Sequence, residues 1–412
     1  MAPSCCESPS PSRRALLVSG GALFAWAYLP RLTSAAASRD PRLVVIVLRG
    51  ALDGLSAVAP IGDPAYAALH GQLALSLGGE RPALPLDGFF ALNPAMPTFS
   101  RLYREGHALV VHATATPYRE RSHFDGQDVL ESGHPSPGNV ASGWLNRAIA
   151  ALPKGERVAD RGGLAVGPST PLIMRGAAPV LGWAPQIMPA ASEDLAARVM
   201  DLYAQRDAVL KAALAKGLET EKIAARDGGT GALRPQGGMY APAGMRLAAT
   251  GAVRLLAAED GPRVAALAFD GWDTHANEGG ATGRLAQLLG GLDEAFAAFE
   301  TGLGDRWKET AVIAITEFGR TARINGTTGT DHGTGTVAFL LGGAIKGGRV
   351  IADWPGLGDD QLHEKRDLRP TTDLRAVLKG LLAAHLGLPA ATLSEQVFPA
   401  SAAVRPLQDL IA

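Results

Sequence analysis

Five short apolar runs, rich in β-branched residues and set far apart in the chain, constrain the fold more than anything else. They are Arg42–Leu48, His107–Ala113, Val264–Phe269, Ala311–Thr316 and Thr336–Leu341. A strand with one wet face alternates apolar and polar residues, whereas a nearly unbroken run belongs to a strand covered on both faces. Parallel neighbours need long crossover connections, and the segments between these runs carry helical spacing. The expected fold is a doubly wound α/β architecture, a mostly parallel sheet with helices on both faces.

The intervening helices are expected around Pro97–Glu105, Ala243–Ala258, Thr282–Leu303 and Thr372–Leu386, the last stopped by Gly387 and Pro389. Ser192–Ala225 reads as one long helix or a hairpin, and the glycine-rich stretch Asp227–Gly238 as a mobile loop. With no internal repeat, residues 38–412 are expected to form one domain with a loop- and helix-rich insertion around 115–240. A hydrophobic content of 47% against 19% charged residues fits a folded globular chain. The formal charge of -1, with no block of Lys or Arg, leaves no footprint for nucleic acid.

The N-terminus has a different character. Arg13-Arg14 precedes the apolar stretch Ala15–Leu29, and Ala35-Ala36-Ala37 supplies a small-residue exit. This is the pattern of a signal read by the twin-arginine export machinery, so residues 1–37 are expected to be removed and the mature protein to be periplasmic or secreted. The apolar stretch falls short of the roughly 20 residues that a membrane span needs. Cleavage would also remove Cys5 and Cys6, leaving neither a disulfide nor a thiolate ligand.

Chemistry-bearing residues gather where the apolar runs stop. Asp53 follows the first run in a glycine-flanked turn, and Asp273 and His275 follow the third in Trp272-Asp273-Thr274-His275. Glu317 and Arg320 follow the fourth, and Asp331-His332 lies between glycine-containing turns. Open α/β sheets bind ligands at the carboxyl ends of their strands, and carboxylate with imidazole is a donor set that divalent metals accept. The bland alternatives are a turn aspartate at Asp53, an internal Asp–His hydrogen bond and a Glu317–Arg320 salt bridge. In Tyr118–Asp128, Ser122 with Asp125 has the spacing of a capping box, or else Ser122 is a nucleophile at a helix N-terminus. His70, His134, His363 and His385 have nothing catalytic near them in sequence. There is no Walker lysine and no strand–glycine–helix dinucleotide pattern.

Leu48–Gly54, Arg121–Asp125, Ser142–Arg147, Trp272–His275, Thr316–Thr321 and Gly329–Gly333, in this order, resemble the exported bacterial family called domain of unknown function 1501. The resemblance spans roughly residues 40–400, and that family is similar in architecture to the alkaline phosphatase and sulfatase superfamily. It implies metals at the strand ends, with Asp53 as the first-strand metal aspartate and Ser122 near the place of the Ser/Thr nucleophile. Asp273 and His275 match a ligand pair with shortened spacing. Glu317 stands where many members carry the aspartate of Asp-His-Gly, with Phe318 in the histidine's place. Asp331-His332 supplies the late histidine, or in a second alignment Asp331-His332-Gly333 is itself the Asp-His-Gly.

The implied activity is hydrolysis of phosphate or sulfate esters with Zn, Mn, Ca or Mg, Arg121 or Arg320 clamping the anion. Phe318 and the short Asp-x-His spacing favour another reading, a non-catalytic exported protein that binds polysaccharide or a partner.

Overall fold

The computed structural model describes residues 40–138, 140–152, 162–185, 193–224 and 241–412. The expected export signal and the glycine-rich loop Asp227–Gly238 lie outside them. Twelve strands run through the described residues. The first six are β1 (Arg42–Arg49), β2 (Val58–Ala59), β3 (Leu84–Pro85), β4 (Ala91–Leu92), β5 (Ala108–Ala115) and β6 (Gly163–Val166). The rest are β7 (Val180–Trp183), β8 (Val264–Asp270), β9 (Thr310–Ile315), β10 (Thr336–Leu341), β11 (Arg349–Ile351) and β12 (Thr372–Asp373). Nine of them form one sheet in the order β11-β5-β10-β9-β1-β8-β6-β7, with β12 also paired to β5.

β1 has no polar residue between its ends because it sits at the centre of this sheet. It pairs in parallel with β8 on one side and β9 on the other, Val45 lying opposite both Ala266 and Ile313. Alternation then divides its side chains between two cores. Val44, Ile46 and Leu48 join Phe99, Met245, Leu289 and Phe296, whereas Leu43, Val45 and Val47 join Leu145, Ala148, Val377 and Leu381. Burying each such aliphatic side chain contributes about 1.5–3 kcal/mol, so a charge anywhere inside β1 would break the fold.

Both faces are helix-covered, as the runs required. The helices used below are α1 (Gly54–Ala57), α2 (Tyr66–His70), α3 (Pro97–Arg104), α4 (His123–Ser132) and α5 (Trp144–Ala150). They continue as α6 (Glu193–Arg206), α7 (Ala208–Ala224), α8 (Pro242–Ala257), α9 (Arg284–Leu303) and α10 (Leu374–Leu386). Helices α3, α8 and α9 pack on one face, and α5 and α10 on the other. The segment expected as one helix or a hairpin is two helices, because Asp207 accepts the N–H groups of Val209 and Leu210 and starts a new helix. Among the described residues no helix is long and apolar enough to cross a membrane.

One strand runs against the rest. β10 is antiparallel to both β9 and β5. Chain leaving the carboxyl end of β9 therefore re-enters the sheet at that same end. The connection from Thr316 to Gly335 never crosses a face of the sheet and stays at the rim with the turns after β1 and β8. Glu317, Arg320, Asp331 and His332 all belong to it.

Candidate metal centre

Two glycines let the rim turns meet. Gly50 has φ +119°, and a Cβ there would lie 2.5 Å from the Asp273 nitrogen. A Cβ on Gly329 would lie 2.4 Å from the His275 carbonyl. The Asp273–His275 turn is thus held between the turn after β1 and the late part of the β9–β10 connection. That connection is pinned across its base by Thr321 N–H to the Asp331 carbonyl at 2.9 Å and Gly333 N–H to the Gly319 carbonyl at 2.8 Å. From the other side, α4 presents His123 in its first turn.

Three histidines and an aspartate converge here. His275 Nε2 is 3.0 Å from His332 Nε2 and 3.1 Å from Asp273 Oδ1. His332 Nε2 is 3.4 Å from Asp273 Oδ1, and His123 Nε2 is 3.5 Å from Asp273 Oδ2. The ligand atoms of His123, Asp273 and His332 all lie within 4.8 Å of one another. The far side of each ring fixes its tautomer. His332 Nδ1 is 2.9 Å from the Arg121 carbonyl, His123 Nδ1 is 2.8 Å from Glu317 Oε1, and His275 Nδ1 is 3.1 Å from Asp331 Oδ1. Those oxygens only accept, so each Nδ1 carries the proton and each Nε2 turns a lone pair inward. This is how metal-ligating histidines are oriented.

The donor set fits a cation. Lone pairs on His275 and His332 face each other at 3.0 Å with no donor between them, which a proton or a cation must resolve. His123 Nε2 is buried and has no hydrogen-bond partner. Two atoms each roughly 2.0–2.1 Å from a single ion, subtending 90–110°, lie roughly 2.9–3.4 Å apart. Most of the separations here fall in or beside that range. The neutral imidazole and carboxylate donors suit Zn²⁺ and Mn²⁺ better than Ca²⁺ or Mg²⁺, which prefer oxygen ligands.

Electrostatics sharpens the arrangement. The hydrogen bond to Glu317 raises His123 above the ordinary histidine value against the effect of burial. Burial, aided by the charges of His123 and Arg320, lowers His332. Burial works to raise Asp273, but Arg320, 2.5 Å away through Nη1, and the neighbouring histidines leave it lowered.

The other expected site residues sit one shell out or face elsewhere. Glu317, expected as a ligand, is wholly buried and holds His123 instead, its Oε1 also accepting from Gly50 N–H at 2.8 Å. Asp331 orients His275. Arg320 is 1% exposed and spends its guanidinium on Asp273 and Thr330, so it cannot clamp an anion from solvent. Arg121 is likewise committed, to Asp367 and Glu364. Ser122 is the N-cap of α4, its Oγ 3.5 Å from Asp125 N, and it lies between the two residues that hold and supply imidazoles.

Asp53 is placed apart from the convergent group. Its Oδ1 accepts from Leu55 and Ser56 N–H and caps α1, and its Oδ2 is 3.3 Å from His70 Nε2. His70, set aside in the sequence, is fully buried and also meets Ser56 Oγ at 2.8 Å. Glu278 completes this buried cluster and hydrogen-bonds Thr330 Oγ1 at 2.7 Å. Burial and the Asp53 charge push Glu278 well above the usual carboxylate value, whereas Asp53 is held below it despite its burial, by the His70 charge and hydrogen bonds. A chain of contacts from Asp53 through Glu278, Thr330 and Arg320 ends on Asp273.

His123 lies within the Arg121–Asp125 motif without a local sign of its role, and nothing in the local sequence marks Glu278. His123 stands next to a helix cap and on the same motif as Ser122, the one signal that could have flagged it.

Three solved structures resemble this chain at low identity. Ps i-CgsB, solved with k-i-k-neocarrahexaose, is 10% identical with TM-score 0.43, over 89% of this chain and 77% of that one. PsFucS1 sulfatase from Pseudoalteromonas sp. is 13% identical with TM-score 0.35, over 83% and 68%. The alkaline phosphatase of the Antarctic bacterium TAB5 is 12% identical with TM-score 0.30, over 73% and 92%. No curated protein matches the chain. The family described as protein of unknown function DUF1501 matches residues 106–397, and the chain belongs to that family.

Proposed function

We propose that this protein is a metal-dependent hydrolase of phosphate or sulfate esters, exported through the twin-arginine pathway. The observation that carries the reading is the inward-facing set of His123, Asp273, His275 and His332, each imidazole locked by a protein acceptor behind it. The order of motifs that resembles the phosphatase and sulfatase superfamily supports it. A divalent cation bound there would supply charge neutralisation at the ester oxygens and activation of a nucleophile. The chain's own contribution is to hold the imidazoles in one tautomer and to keep Asp273 ionised. Ser122, beside His123, is the candidate nucleophile.

Binding without turnover is favoured by one observation, that Arg121 and Arg320 are both consumed by carboxylates. Elemental analysis of the purified protein for Zn, Mn, Ca and Mg, with a panel of aryl phosphates and sulfates, separates the two. The hydrolase reading expects metal that is lost in His332→Ala, and turnover lost with it. Metal without turnover of any ester leaves the binding reading. No metal, and no change in His332→Ala, removes the site.

A further inference from the structure

Beside the convergent histidines lies a cavity of about 310 Å³ at the carboxyl ends of β1, β6 and β8, lined among others by Arg49, Phe124, Gln127, Asp128, Ser169 and Arg175. It is joined to the cluster through α4. Phe124 follows His123, and Gln127 Nε2 reaches Glu317 Oε1 at 3.3 Å, the same oxygen that holds His123. The size is at the lower end of the roughly 300–1,000 Å³ of small-ligand sites.

Phe124 is the unusual member. A large apolar side chain in the first turn of a helix, it is 90% exposed. It has no packing role to explain it, and an aromatic face left open at a cavity rim is a stacking platform. The polar lining mixes donors and acceptors. Arg49 gives Nε and Nη2 to Glu131 Oε1, and Glu131 Oε2 accepts from Ile173 N–H, so this pair answers itself. Arg175 uses only Nε, on the Thr170 carbonyl at 3.0 Å. On the acceptor side, Asp128 engages Gly138 N–H through Oδ2 alone, and Gln127 bonds Glu317 through its amide nitrogen.

A sulfate or phosphate wants donors only, and Asp128 would repel it. Hydroxyl groups donate and accept at once, and a pyranose offers such groups around its edge and C–H bonds on its face. We propose that this cavity is a saccharide subsite, its ring laid on Phe124 and its hydroxyls met by Arg175, Asp128, Gln127 and Ser169. Resting on the hydrolase reading, this makes the substrate an ester carried on a sugar, with the ester group toward His123 and the ring toward Phe124.

The test uses the full chain on an array of neutral, sulfated and phosphorylated oligosaccharides, with Phe124→Ala, Phe124→Trp and Arg175→Ala beside it. The expected result is retention on a subset of saccharides, weakened at least tenfold by Phe124→Ala and by Arg175→Ala and restored by Phe124→Trp. Both side chains are exposed, so these substitutions remove little that the fold relies on. Retention of no saccharide, or retention unmoved by either alanine, overturns the subsite. Release of sulfate or phosphate from the retained saccharides, and from 4-nitrophenyl phosphate and sulfate, which carry no sugar, is read in parallel. Saccharide binding with no release from any of them sustains the subsite and removes the hydrolase. Hydrolysis without saccharide binding removes the subsite alone.

Discussion

The open cluster around His123 and the buried cluster around Asp53 are made of the same side-chain types and use them in opposite ways. Asp53, His70 and Glu278 are all no more than 1% exposed, and their charges answer one another. Burial works to raise Asp53, but the His70 charge and the hydrogen bonds around it leave it below the ordinary carboxylate value. Burial works to lower His70, and Asp53 more than reverses it. In the open cluster the partners sit behind the rings, so Glu317, Asp331 and the Arg121 carbonyl occupy each Nδ1 and leave each Nε2 over. A set of imidazoles and carboxylates offers itself to a cation when its outer hydrogen-bonding positions are filled by protein and its inner ones are not.

The largest expected effect comes from breaking the buried side. Asp53→Ala removes a helix cap and strands the His70 charge, and stability should fall by about 3–5 kcal/mol, the usual loss when half of a buried pair is deleted. Urea unfolding of the full chain measures it. His332→Ala, in the half-exposed cluster, should stay within roughly 0.5 kcal/mol of the parent without added metal. Equal losses for the two substitutions would erase the distinction between a structural and a ligand-presenting cluster.

Next in size is the support behind the open cluster. Glu317→Gln keeps an oxygen for Gly50 N–H but no longer offers His123 a charged acceptor. Metal affinity should fall by roughly 10–100-fold, as it does when the carboxylate behind a ligating histidine is removed. Competition against a coloured chelator reads this directly. Unchanged affinity would show that His123 is held by other contacts, and Glu317 would lose its assigned part.

The sheet was legible in the sequence because strands buried on both faces spell out their own burial, residue after residue. Asp273 could be singled out for a related reason, since it stands just past such a run, and His332 by the glycine-containing turns around it. What the sequence hid is pairing at long range. His123 acquires its role from Glu317, 194 residues later, and Arg320 finds Asp273 rather than a neighbour. Glu278 matters because it meets Asp53 and Thr330 in space. Local spacing carries none of this. It was also spacing that suggested a Glu317–Arg320 couple, which the β9–β10 connection separates by turning the two side chains to different partners.

An effect graded by pH rather than by a ligand concerns a second histidine near the buried cluster. His112 is wholly buried, with Nε2 2.9 Å from the Val58 carbonyl and Nδ1 accepting from Ala113 N–H at 2.7 Å. Only the neutral ring satisfies both contacts, and burial pushes its pKa down to about 4, against the pull of Val58 and Asp53. The unfolded chain titrates near the ordinary value of about 6.5, so between there and about 4 it binds more protons than the folded chain. Stability that is full above this window is lost as pH falls through it, by at most about 1.4 kcal/mol for each pH unit. His70 has the reverse sign, because its folded value is raised. Its contribution is full below the ordinary histidine value and fades as pH rises through the raised one. His112→Gln, which can still donate to Val58 and accept from Ala113, should flatten the acid side of the stability–pH curve and leave the alkaline side alone. His70→Gln should flatten the alkaline side instead. Urea unfolding across the pH range distinguishes them, and an acid limb unchanged in His112→Gln would mean that His112 is not held neutral.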